Sequence, residues 1–146
     1  MKNKILILNG PNLNLLGQRE PSHYGAKNLD DVVAECVALG KELGLEVDAF
    51  QSNNEGDLVS KLQEAGANDV GVIFNPGAYS HTSIALRDAI SGAQTKVIEV
   101  HISNIHAREE FRHISLISAV AKGVVAGLGT DGYLLAMRAF SQTMGK

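Results

Sequence analysis

A single cysteine, Cys36, is all the thiol chemistry this 146-residue chain carries, so no internal disulfide can form. Cys36 falls among Val32, Val33, Val37 and Leu39 at helical spacing, which places it in a core and suits a reducing, cytoplasmic compartment. Tryptophan is absent, so stacking surface for a flavin is scarce. Basic residues are not in excess. Thirteen Lys+Arg against 16 Asp+Glu give a net charge of -3, with no footprint for nucleic acid and no charged tail. No apolar run approaches the roughly 18 residues of a membrane span. The N-terminal run Ile5–Leu8 is too short for a signal-peptide core and stops at Asn-Gly-Pro.

What remains is an ordinary globular composition, 45% apolar and 20% charged, with no linker, repeat or low-complexity stretch, so one domain over residues 1–146 is expected. Strand-like and helix-like segments alternate. Lys4–Asn9 is a continuous apolar run of the kind a central parallel strand shows. Asn28–Leu43 has helical periodicity, with Asn28 as N-cap, acids in its first turn and Gly44 as the stop. Leu45–Gln51, Val70–Asn75, Lys96–Ile102 and Gly123–Ala126 read as further strands. Glu55–Ala65, Ser80–Ser91 and Asp131–Gln142 read as helices, with Gly66 and Gly92 as breaks after the first two. Between Ser103 and Lys122 a loop with a short helix around Arg108–Arg112 and a buried turn at Leu116–Ala121 is expected.

Five strands separated by helices imply right-handed crossovers and an α/β, flavodoxin-like three-layer sandwich, a parallel sheet of order 2-1-3-4-5. Ligands in such sheets bind beyond the C-terminal strand ends, near the switch point between strands 1 and 3. The residues there are unusually polar: Asn9-Gly10-Pro11-Asn12, Asn75-Pro76-Gly77-Ala78-Tyr79-Ser80-His81, and Glu99-Val100-His101-Ile102-Ser103.

The loop after strand 1 carries Arg19 and Tyr24. A tyrosine has a reference pKa of about 10 and is a poor base at neutral pH unless a cation stabilises its phenolate. Arg19 could be that cation; an ordinary polar surface loop has the same composition. Glu99 and His101 lie two apart on a strand and face the same side. A carboxylate beside an imidazole fixes its tautomer and stabilises the imidazolium, which suits a general acid and equally a buried structural pair. Ser103 and nearby amides could hold a carboxylate, and Arg112 an anion or diol, although Glu109 and Glu110 offer Arg112 a plain salt bridge. His81 opens the third expected helix. Asp88, seven residues further on, is two turns away on a face that solvent would cover.

Other chemistries fit less well. Gly127–Gly132 matches GxGxxG, but it follows the last strand and no acid stands about 20 residues later, so a tight structural turn is the better reading. His101, His106 and His113 form no HExxH and no Cys/His set has zinc spacing, so no metal is expected. Lys4, Lys96 and Lys122 sit at the N-terminal strand ends, opposite the rim, which disfavours a Schiff base. A phospho-receiver domain would need acids where Asn9, Asn12 and Asn75 stand.

Segment by segment, LNGPNLNLLGQREPSHYG, FQSNNEGDLVSKLQEA, FNPGAYSHTSIALRDAI, EVHISNIHAREEFRHISLIS and GLGTDGYLLAMRAF resemble a type II 3-dehydroquinate dehydratase, in order and over most of the chain. The resemblance implies a flavodoxin-like fold and dehydration of 3-dehydroquinate to 3-dehydroshikimate, in the shikimate or quinate pathway. It also implies no metal, no cofactor, and a homododecamer built as a tetramer of trimers. By resemblance Tyr24 is the base at C2, Arg19 the cation beside it, and His101, held by Glu99, the acid for the departing hydroxyl. Asn12 positions a water on the enolate oxygen. Asn75, His81, Ile102, Ser103 and Arg112 resemble the substrate-binding set, Asp88 a residue entering a neighbouring subunit's site, and Arg108 an arginine at the site border. The QEAG that closes the Glu55–Ala65 helix departs mildly from the family pattern, away from the chemistry.

Overall fold

The computed structural model describes residues 3–18 and 27–144; Arg19 and Tyr24 lie outside the described residues. Strands β1 (Lys4–Asn9), β2 (Glu46–Gln51), β3 (Gly71–Asn75), β4 (Val97–His101) and β5 (Gly123–Ala126) alternate with helices α1 (Leu29–Leu43), α2 (Glu55–Ala67), α3 (Ile84–Ala93) and α4 (Asp131–Met144). The sheet order is β2-β1-β3-β4-β5 and every pair is parallel, as the alternation predicts. The register sets Asn9 level with Asn75, which brings the polar ends of β1 and β3 side by side.

Burial follows from the period of two. Ile5 and Ile7 point to one side of β1, where they meet Val32 and Cys36 of α1 and Met137 and Phe140 of α4. Leu6 and Leu8 point to the other, against Leu58 and Leu62 of α2 and Leu86 and Ile90 of α3. Both faces of β1 are therefore dry, and each full burial of such a side chain contributes about 1.5–3 kcal/mol. Cys36 is fully buried and burial pushes its thiol up to about 12, so it behaves as a small hydrophobe.

Helix α1 begins as its sequence predicts: the Asn28 side chain accepts from Asp31 N at 2.8 Å, the Asp31 carboxylate accepts from Asn28 N at 3.1 Å, and Gly44 closes the helix at φ 74°. The helix expected over Ser80–Ser91 differs. Gly77–His81 forms a separate 3-10 turn, and α3 starts only at Ile84, capped by Ser83 Oγ accepting from Leu86 N at 3.0 Å. The Asn75 side chain sets this up by accepting from Gly77 N at 3.1 Å, so the chain turns sharply on leaving β3. His81 and Asp88 consequently belong to different elements. Gly66 and Gly92 lie inside α2 and α3 rather than ending them; Gln94 in the left-handed region (φ 54°) closes α3. The segment before β5 holds three 3-10 turns: Glu110–Arg112 lies within the short helix expected around Arg108–Arg112, Ser118–Val120 lies within the expected turn, and Ile105–Ala107 is additional. The turn expected to be buried over Leu116–Ala121 buries only Ile117, because its neighbours Ser115 and Ser118 anchor it by hydroxyl groups instead of apolar packing. In the GxGxxG stretch, Gly127 (φ 89°) and Gly129 (φ 65°) take left-handed conformations while donating to the carbonyls of His101 and Ile102, a turn stitched to the end of β4.

Candidate active site

Beyond the C-terminal ends of β1, β3 and β4 lies a cleft of about 150 Å³ whose wall includes Asn12, Asn75, His81, His101, Ser103 and Arg112. This is the β1/β3 switch point at which an open α/β sheet binds ligands. Two loops meet there at close range: a Cβ on Gly10 would lie 2.5 Å from the Pro76 carbonyl oxygen, so only glycine lets the end of β1 pass the end of β3.

Asn12 stands at the cleft mouth in the left-handed region (φ 71°), a conformation that asparagine tolerates better than most residues. Its N–H donates to Asn53 Oδ1 at 3.0 Å. Gln51 Nε2 donates to that same oxygen at 3.2 Å and to the Gly10 carbonyl at 3.1 Å, and Tyr79 donates its hydroxyl to the Asn53 carbonyl at 2.8 Å. Residues from the end of β2 and from the turn after β3 thus hold the backbone of Asn12 in place.

Asn75 is buried. Its Nδ2 donates to Tyr133 of α4 at 3.0 Å, and the Tyr133 hydroxyl donates to Asn9 Oδ1 at 2.6 Å. Burial pushes the Tyr133 phenol well above the ordinary tyrosine range, so it remains a proton donor. With Asn75 Oδ1 also occupied by Gly77 N, the amide of Asn75 is fixed in orientation, and its second Nδ2 hydrogen is left for a ligand.

Glu99 and His101 form the floor. Glu99 is fully buried in the middle of β4, and His101 is 5% exposed at its end. His101 Nε2 donates to Glu99 Oε2 in a short contact. The same oxygen accepts from Ser115 Oγ at 2.7 Å, and Oε1 accepts from Ser118 Oγ at 2.6 Å. Burial pushes the Glu99 carboxyl up, but the hydrogen bonds from His101, Ser118 and Ser115 outweigh it and the net shift is downward. Glu99 is therefore an anion near neutral pH, and His101 is left with Nδ1 as the ring nitrogen for the cleft.

His81 stacks on His101, with ring centroids 6.4 Å apart and 19° between planes. Its Nδ1 donates to the Ile114 carbonyl at 2.9 Å, which directs Nε2 elsewhere. Arg108 donates to Ser103 Oγ at 3.2 Å. Arg112 borders the cleft and pairs with Glu109 at 3.1 Å, the salt bridge its spacing allowed. Ile102, 5% exposed, completes the apolar part of the wall.

The structure therefore gathers Asn12, Asn75, His81, His101, Ile102, Ser103, Arg108 and Arg112 around one cleft, with Glu99 behind His101. Asp88 is exposed on α3 and is not part of this wall. Ser115, Ser118, Tyr133, Asn53 and Gln51 are supporting residues that sequence reasoning missed; a serine in a turn or a tyrosine early in a helix carries no mark of the side it faces. Among the described residues no lysine lines the cleft.

A five-stranded parallel sheet with a polar, histidine-bearing cleft at its switch point defines a small-molecule α/β enzyme. Residues 3–141 match the family described as dehydroquinase class II. A 3-dehydroquinate dehydratase of Brucella canis is 57% identical over 97% of this chain and 90% of its own length. A 3-dehydroquinate dehydratase 1 of Agrobacterium fabrum is 58% identical over 95% of this chain and 96% of its own. The crystal structure of a type II dehydroquinase from Propionibacterium acnes superposes with a TM-score of 0.93 at 46% identity, covering 97% of this chain and 98% of that one. The chain belongs to the class II dehydroquinase family and is a hydro-lyase.

Proposed function

We propose that the chain dehydrates 3-dehydroquinate to 3-dehydroshikimate by anti elimination through an enolate, using its own side chains without Schiff base or metal. The observation that carries this reading is the buried Glu99 carboxylate holding His101 at the floor of the cleft. In it, Tyr24, as a phenolate beside Arg19, takes the C2 proton. The electron pair moves onto the ketone oxygen, where a water positioned by Asn12 stabilises the charge. The enolate then collapses with expulsion of the β-hydroxyl, which takes a proton from His101 Nδ1 and departs as water. Passage of the C2 proton from Tyr24 to His101 resets both groups.

Asn75, His81, Ile102, Ser103 and Arg112 would hold the substrate, with Arg112 suited to an anion or diol. That no lysine of the described residues lines the cleft supports a route without an imine. In this reading residues 1–146 form one catalytic domain working in the cytoplasm. Asp88, exposed and apart from its own cleft, completes the site of a neighbouring subunit in a homododecamer arranged as a tetramer of trimers. No helix of the described residues is long and apolar enough to cross a membrane. The direct test is to incubate the protein with 3-dehydroquinate and follow the conjugated enone in the ultraviolet, with and without borohydride. Enone formation that survives borohydride supports the reading, and a stable lysine adduct with loss of activity refutes the imine-free route.

A further inference from the structure

Glu99 accepts three hydrogen bonds, and only one comes from its histidine. The other two come from Ser115 and Ser118, which flank Ile117 in the turn before β5 and are 16 and 19 residues away in sequence. An ionised carboxylate with no exposure is tolerated only where its lone pairs are met by donors. Among the described residues Oε2 takes His101 and Ser115, and Oε1 takes Ser118. The Ser115 hydroxyl cannot turn away freely, because its oxygen also accepts from Ile117 N at 3.1 Å, which leaves its proton for Glu99.

We propose that Ser115 and Ser118 are positioning residues for the acid: their hydroxyls fix the Glu99 carboxylate beneath His101 and share its charge, and through it they set how readily His101 gives up its proton to the cleft. The inference rests on the proposed role of His101 and extends the acid from a pair to a set of four side chains. The depressed titration of Glu99 agrees with it, since burial alone would act in the opposite direction. The titratable and charged groups around the pair come from three directions. His101 lies on β4 itself, His81 stacks on the His101 ring from the turn after β3, and Arg108 and Arg112 border the cleft from the loop after β4. The turn before β5 contributes the two uncharged hydroxyls, so removing one of them alters the pair without removing a charge.

The test uses full-length Ser118→Ala, Ser115→Ala and Ser118→Thr. The titration of the His101 imidazole is followed by NMR, and kcat and KM are followed against pH. Loss of one hydroxyl should raise the His101 midpoint by about one pH unit, because a carboxylate with one donor fewer keeps more charge to hold the imidazolium proton, and should lower kcat by about tenfold. KM should stay within about twofold, the limb of the kcat profile that requires the protonated acid should move to higher pH, and Ser118→Thr should restore both readings. Either alanine variant carries the test, so it does not depend on the folding of one. An unmoved His101 midpoint in a folded variant would overturn the proposal, even if melting temperature falls, because that is the signature of a merely structural anchor. The acid role itself is tested apart, by His101→Ala: full activity there would sink the acid while leaving the midpoint shift to stand or fall alone.

Discussion

Tyr133 donates its hydroxyl to Asn9 Oδ1 at 2.6 Å, joining two residues 124 positions apart in a buried bond that runs on to Asn75. Through it the last helix fixes the ends of β1 and β3, the two strands whose loops form the cleft. Tyr133→Phe leaves Asn9 Oδ1 without this donor and Asn75 Nδ2 without this acceptor. The expected cost is about 1–3 kcal/mol, read as a lower denaturation midpoint in urea, together with a raised KM because the Asn75 amide is no longer held. Unchanged stability and KM would show that the network is dispensable.

Glu99 should give the stability curve an acid limb. Its folded-state carboxyl titrates below the reference value of 4.5, so the stabilisation from the ionised form is complete above that pH and is lost as pH falls through the folded value. Glu99→Gln should therefore be less stable than the parent near pH ~6, and the gap should narrow toward pH ~3. A gap independent of pH would mean that the carboxylate charge is not what the site stabilises.

Tyr24→Phe should fold as the parent does and lose most of its turnover, because the phenol is the proposed base. Arg19→Ala should lose activity too and move upward the pKa on the limb of the rate profile that reports Tyr24. Near-normal kcat in Tyr24→Phe would remove the base from the mechanism.

Asp88 provides a test of assembly. The protein should sediment far above its 15.5 kDa monomer mass. Asp88→Ala and Tyr24→Phe should each be inactive alone and regain activity when mixed after dissociation, since a hybrid interface pairs an intact Asp88 with an intact Tyr24. A fully active monomer would rule out a shared site.

The fold was legible because its evidence is redundant. Continuous apolar runs such as Ile5–Leu8 identify buried parallel strands, and Asn28 with Asp31 marks a helix start by a local hydrogen-bond pattern. Residues at the strand ends follow from topology, which gathers Asn12, Asn75 and His101 on one rim. The start of α3 was misplaced, because a 3-10 turn and an α-helix share short-range spacing, and the Asn75 contact with Gly77 that separates them is made by a side chain. The serines on Glu99 were illegible for a related reason: Ser115 and Ser118 are set by the path of a turn through space, not by any period along the chain.

In the proposed mechanism His101, held by Glu99, protonates the leaving hydroxyl after the enolate has formed. The most direct measurement is isotope exchange at C2 of 3-dehydroquinate in deuterated water with His101→Ala. The proposed mechanism predicts C2 exchange with little or no 3-dehydroshikimate produced, because Tyr24 would still remove the proton while the hydroxyl has no acid. Dehydration by His101→Ala at the rate of the parent would contradict it.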